Sequence, residues 1–206
     1  AFQLATDSYG SVAIGASAAG GNQSGELTVA IGYKAGYTQS GVQNVLIGDG
    51  AGEDSGYQNN GNLNVAVGSK AGAKLNTGGY NTLIGSLSGE NRPINGSYNT
   101  GLGAYTPRNR TSGGYNPAGG NSALAGGTIA GNYNTGFGNQ ALYNVSTGDG
   151  NVAMGHNALF NIGAGSNNVA IGNEAGYELN DAQQGNVLLG YRTGYDSDGG
   201  DYNTLI

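Results

Sequence analysis

The chain has 206 residues with a formal net charge of −6, and only 10% of them are charged, against about 25% in ordinary soluble domains. Glycine supplies 43 residues and asparagine 27, which excludes an average globular composition. Only three prolines and no every-third glycine exclude collagen, and the acidic balance, with a pI near 4.4, argues against a nucleic-acid partner.

Along the chain a five-residue phrase recurs: Asn, then Val or Thr, then a small residue or Leu, a large apolar residue, and Gly. Clear copies are Asn44-Val45-Leu46-Ile47-Gly48, Asn64-Val65-Ala66-Val67-Gly68, Asn151-Val152-Ala153-Met154-Gly155 and Asn168-Val169-Ala170-Ile171-Gly172. The closing glycines fall at 15, 32, 48, 68, 85, 103, 120, 138, 155, 172 and 190, spaced 16 to 20 residues apart. A twelfth phrase runs from Asn203 to Ile206. Ser11 and Thr28 stand in for Asn in the first two copies, and Pro117 and Gly119 occupy the second and fourth positions of the seventh. Three residues past each Gly comes a small residue (Ala18, Ala35, Ala51, Ala71, Ser88, Thr106, Ala123, Ala141, Ala158, Ala175 and Thr193), often followed two residues later by Tyr or Phe.

Alternation within the phrase predicts a short β-strand with one buried face. The invariant Gly predicts a corner with positive φ or close backbone approach. The small residue and its neighbours are expected to start a second strand, and six or so polar residues return the chain to the next coil. A fixed period of this length is the signature of a solenoid. We therefore expect an all-β parallel β-solenoid, a β-roll, as a single repeat domain over 1–206, with a partial opening coil over 1–10. Residues 11–206 would form about twelve coils, the last incomplete, with the Asn column stacked as a side-chain ladder.

The Asn-Val-Ala-Ile-Gly phrase resembles the head repeat of trimeric autotransporter adhesins. The 17-residue spacing with Asn134-Thr135-Gly136-Phe137-Gly138-Asn139-Gln140-Ala141-Leu142-Tyr143 is similar to the repeats of phage tail-fibre and bacterial surface-fibre shafts. The resemblance covers the chain from about Ser11 to Ile206. It implies a left-handed β-roll, a homotrimer and an extracellular, virion or bacterial-surface location, with a cell-surface glycan or receptor as a further partner.

With the fourth position assigned to the coil interior, the third must point outward. That column is Ala13, Ala30, Leu46, Ala66, Leu83, Gly101, Ala118, Gly136, Ala153, Ala170, Leu188 and Leu205, with no polar member. An apolar stripe along a rod is an interface, so these twelve residues are the expected homo-oligomer contact. On the same reading Gly119 leaves coil seven without its core residue, so that coil should be distorted and Gly119→Ile should stabilise it. The chain stops mid-phrase at Ile206 without a polar cap, which predicts end-to-end stacking or a longer parent chain, with Ala1 to Leu4 in the opening coil.

No cofactor is expected and no enzyme is read from the repeat, which offers no cleft of converging acid and base groups. His156, the single histidine, follows a closing Gly and reads as a solvated corner residue. Asp196, Asp198 and Asp201 have the alternation of calcium ligands, but the acidic residue that closes an EF-hand loop is missing, so a hydrated return loop is the preferred reading and no metal is assigned. Sequons begin at Asn22, Asn95, Asn109 and Asn144, about the number chance supplies. Tyrosines before the phrase Asn (Tyr80, Tyr98, Tyr115, Tyr133 and Tyr202) and after the small residue (Tyr37, Tyr143, Tyr177 and Tyr195) fit either glycan stacking or stacking between coils. We expect the latter.

The repeat and its resemblance together imply a non-enzymatic extracellular fibre segment, a shaft or an adhesive head of a phage tail fibre or bacterial surface adhesin, whose return loops from Gly89 to Tyr98 and from Tyr105 to Tyr115 make outside contacts. A self-assembling filament without a receptor is the alternative. An ice-binding Thr array is disfavoured, because Thr holds the second position mainly at 82, 100, 135 and 204. No apolar run is long enough to span a bilayer as a helix.

Overall fold

A computed structural model describes residues 10–21, 26–38, 40–53, 60–90, 93–107, 112–179, 183–197 and 200–206. Among them the chain is a parallel β-solenoid with no helix. Each phrase contributes one rung of a twelve-stranded sheet: β1 (Val12–Ile14), β2 (Val29–Ile31), β3 (Val45–Ile47), β4 (Val65–Val67), β5 (Thr82–Ile84), β6 (Thr100–Leu102), β7 (Pro117–Gly119), β8 (Thr135–Phe137), β10 (Val152–Met154), β12 (Val169–Ile171), β14 (Val187–Leu189) and β16 (Thr204–Leu205). Neighbouring rungs pair in parallel with phrase positions aligned, as in Val45↔Val65, Leu46↔Ala66 and Ile47↔Val67.

The second sheet differs from expectation. It is built from β9 (Asn144–Val145), β11 (Asn161–Gly163), β13 (Glu178–Leu179) and β15 (Asp196–Ser197), which start six residues after the closing Gly rather than at the small residue. The small residue lies instead in a turn flanked by two left-handed positions. The residue two past the Gly is left-handed in every coil, as at Lys34, Lys70, Gln140 and Glu174, and so in most coils is the residue four past it, as at Gly36, Gly72, Leu142 and Gly176. A third lies just before the phrase Asn, as at Tyr80, Tyr98, Tyr115 and Tyr133. Non-glycine residues rarely hold such φ values. Most of them are tied to an adjacent coil: Gln140 N–H donates to Asn121 O at 2.9 Å, and Leu142 N–H to Ala158 O at 3.0 Å.

The closing glycines have φ between 112° and 143°, a range L-residues scarcely occupy. They also stack, and a Cβ on Gly103 would lie 2.6 Å from the Gly120 oxygen. Gly136, two residues before Gly138, has neither constraint, and a Cβ there would meet Leu124 and Leu142 at 3.5 Å, ordinary contact. Gly136→Ala should therefore stabilise the fold by about 0.4–1 kcal/mol through the unfolded chain. Gly138→Ala should destabilise it by about 1–3 kcal/mol from backbone strain alone. Urea denaturation of the pair checks this, and equal effects would contradict the corner geometry.

The coil interior takes the small column and the third phrase position together. Ala35, Ala51, Ala71, Ala141, Ala158 and Ala175 are fully buried. So narrow a coil has room for few large side chains. Where the third position is Leu (Leu46, Leu83 and Leu188), the second left-handed residue of that coil is Gly52, Gly89 or Gly194, and a Cβ there would come within 2.9 Å of that leucine. Where the third position is Ala118, Gly136 or Ala153, the left-handed residue is Leu124, Leu142 or Leu159, each fully buried. In coil six Gly101 leaves its space to the Pro107 ring.

Coil seven keeps its place in the stack and is loosened only locally: the Thr100 N–H reaches Asn116 O at 3.4 Å, against 2.7–2.9 Å in the other rungs, and Pro117 drops out of the pairing with β8. β7 keeps the register Gly101↔Ala118 and Leu102↔Gly119 with β6, and Leu124 and Ile129 fill its interior. Gly119 stands on the outer face of the sheet, so Gly119→Ile would not fill a core void.

Candidate functional site

An Asn ladder and an apolar outer face run along the rod, with two shorter aromatic columns beside them. The Asn ladder is internal. Each phrase Asn from Asn44 to Asn168 is buried, and its Oδ1 accepts the backbone N–H of the next Asn, as from Asn64 to Asn44 at 2.8 Å and from Asn134 to Asn116 at 2.8 Å. Its Nδ2 donates to the carbonyl three residues before that next Asn: Asn44 to Gly61 O at 2.9 Å, Asn134 to Gly148 O. Ser11 and Thr28 keep the acceptor half, taking the N–H of Thr28 at 3.1 Å and of Asn44 at 3.5 Å, and the Thr28 hydroxyl donates within its own coil to Glu26 O at 3.4 Å.

The tyrosines stack between coils. Tyr80, Tyr98, Tyr115 and Tyr133 form one column with centroids 4.8, 4.8 and 5.2 Å apart. Tyr143, Phe160, Tyr177 and Tyr195 form another at 4.9–5.0 Å. Within each column the ring faces cover one another, which leaves mainly edges for solvent. Burial in the stack raises the Tyr195 hydroxyl pKa above the ordinary tyrosine value, with Glu174 adding to it. A hydrogen bond and charge from Glu53 hold Lys34 above the usual lysine value, and Glu174 does the same for Arg192. A pocket of about 200 Å³ lies between coils, lined by Glu53, Lys70, Ala73, Lys74 and Glu90. Its cations and anions offset each other.

The open face is the outer side of the twelve-stranded sheet, and it corrects the expected interface. The third column is the coil core: Ala30, Leu46, Ala66, Leu83, Ala118, Ala153, Ala170 and Leu188 are 0–1% exposed, and Gly101 and Gly136 are buried. Only in the terminal rungs is it accessible, at half-buried Ala13 and exposed Leu205. The fourth column, assigned to the interior, points out. Val12 and the fourth-position residues Ile14, Ile84, Leu102, Phe137, Met154 and Ile171 are 41–48% exposed. Alternation separates two faces of a strand, but here both are apolar, so the columns sort as wholes: the narrow coil takes the one that is Ala or Gly in most rungs, admitting Leu46, Leu83 and Leu188 only where a glycine faces them, and the mostly bulky one is left outside. The outer positions carry Val, Thr, Pro, Ile, Leu, Gly, Phe and Met and no charge. Twelve rungs make this stripe about 55 Å long and three residues make it about 10 Å wide.

The remaining candidates are scattered. Asp196 is exposed in β15, and Asp201 accepts the Gln184 N–H at 2.9 Å through Oδ1. Asp198 lies outside the described residues, as do Asn22 and Asn109. No group of three potential metal ligands occurs among the described residues. Asn95 Oδ1 accepts hydrogen bonds from Asn76 at 2.9 Å and Thr77 at 3.2 Å, and Asn144 sits in β9. His156 is exposed. Among the described residues no helix is long and apolar enough to cross a membrane. Comparison with protein-family models, curated proteins and solved structures finds no match to this chain.

Proposed function

We propose that this chain is a non-enzymatic segment of an extracellular fibre, assembled from copies of itself through the outer face of the twelve-stranded sheet. The single observation behind this reading is the uncharged apolar stripe, which runs the length of the described coils. A stripe of this kind marks an association surface on a soluble protein, and its area of roughly 550 Å² approaches the roughly 800 Å² per partner of standard interfaces. The resemblance to tail-fibre and adhesin-head repeats supplies the number three and the placement on a virion or bacterial surface. Contact with a glycan or receptor falls to the return loops, parts of which lie outside the described residues, and not to the mutually covered tyrosine faces.

Light scattering tests the assembly. The wild type is expected to be a trimer, and Met154→Glu/Ile171→Glu, which places two charges on the stripe, a monomer with unchanged far-UV circular dichroism. A monomeric wild type, or a double variant that assembles as before, would remove the support for this reading.

A further inference from the structure

A second copy of the chain is the occupant whose teeth match this face over its whole length, because it shares the same rise per coil. That match carries an ambiguity. A copy displaced by one coil meets nearly the same surface, since the outer fourth column reads Ile14, Ile31, Ile47, Val67, Ile84 and Leu102, then Met154, Ile171, Leu189 and Ile206. Uniform strands specify register weakly. Two adjacent rungs break the uniformity. β7 presents Pro117 and Gly119, a rung without a large side chain, and β8 presents Phe137. The Phe137 ring leans over its neighbour: a Cβ on Gly119 would lie 2.5 Å from Phe137 Cδ1 and 2.6 Å from Cε1. Gly119 is buried beneath the ring, although Leu102 and Met154 on either side of the pair are exposed.

We infer that Phe137 and Gly119 set the axial register in which copies of this chain assemble, a reading that rests on the self-association proposed above. In register, the rings of all copies occupy one level, and the low rung of each gives them the space one coil height does not. A one-coil displacement sets the ring of one copy against Met154 of its neighbour and the ring of the neighbour against nothing of its own kind. Such a layer is overpacked on one side and underfilled on the other.

The chain has no cysteine, so introduced thiols report register directly. Chains carrying Ile47→Cys are refolded together with chains carrying Val67→Cys or Ile84→Cys, one or two coils away. They are oxidised after light scattering has established the assembly, and the linked peptides are identified by mass spectrometry. A disulfide needs Cα atoms within about 7 Å, so like-with-like linkage reports aligned copies and unlike linkage reports displaced ones.

In the otherwise native chain we expect like-with-like linkage to dominate at least tenfold. With Gly119→Ile/Phe137→Ile, which makes the column uniform, unlike linkage should rise to a comparable yield while the oligomer mass is unchanged. Phe137→Leu, a milder change at an exposed side chain, should raise it as well and serves if the double variant fails to fold. Like-with-like linkage alone in the variant that folds, or abundant unlike linkage in the native chain, overturns the register assignment and leaves self-assembly standing. A monomeric native chain overturns both.

Discussion

Ala153→Glu is expected to unfold the coils around it rather than merely separate the copies. Ala153 is fully buried and in register with Gly136 and Ala170. It belongs to the same apolar cluster as Ala158, Leu159 and Ile162. A glutamate there overfills the interior and places a carboxylate where no cation waits, costing about 4 kcal/mol or more. Met154→Glu, one residue on, puts the same charge on the open face, where the monomer tolerates it. Urea denaturation with light scattering separates the two. Ala153→Glu should lose its cooperative transition or shift it to far lower urea, and Met154→Glu should keep β-structure and lose mass. The reverse pattern would return the third column to the outside.

Asn151→Ala should be nearly as severe. Asn151 donates through Nδ2 to Gly165 O at 2.8 Å and to Asn134 Oδ1 at 3.0 Å. Its Oδ1 accepts from the Asn168 backbone N–H at 3.0 Å and from Asn168 Nδ2 at 3.1 Å. Alanine leaves the Asn168 N–H and the Gly165 carbonyl without these partners inside the rod, at about 1–3 kcal/mol for each. Asn151→Asp keeps the shape and the acceptor but turns a carboxylate oxygen toward the Gly165 carbonyl and Asn134 Oδ1. Burial and these neighbours raise the folded-state pKa of that carboxyl above its unfolded value. The protonated side chain can still donate, so the stability of the variant should be greatest below the unfolded carboxyl pKa and fall as pH rises through the folded one. Thermal melting across acidic to neutral pH would show the trend relative to wild type. A variant that follows wild type at every pH would show that the ladder contributes little.

The ladder and the corners were legible because the chemistry leaves few choices. Only the Asn amide carries an acceptor and a separate donor far enough out to reach the next coil's carbonyl, whereas the shorter Ser11 and Thr28 hydroxyls keep the acceptor contact. Only Gly fits a stacked corner at φ near 130°. The aromatic columns were legible too, as spacing repeated at the coil period places rings about 4.8 Å apart. The second strand was misplaced because nothing in single residues such as Gln140 or Leu142 announces a left-handed conformation, which is held there by hydrogen bonds to adjacent coils.

By itself the sequence determined the solenoid, its coil boundaries and the parallel in-register stacking, because a period of about 17 residues with a polar ladder and a glycine corner admits no other closure. Which apolar column is core was decided only by the tertiary structure. Hydropathy ranks Val, Ile and Leu alike on either face of a strand. Only the width of the coil, set by alanines facing the third position and by leucines and glycines trading places across it, leaves the larger column outside.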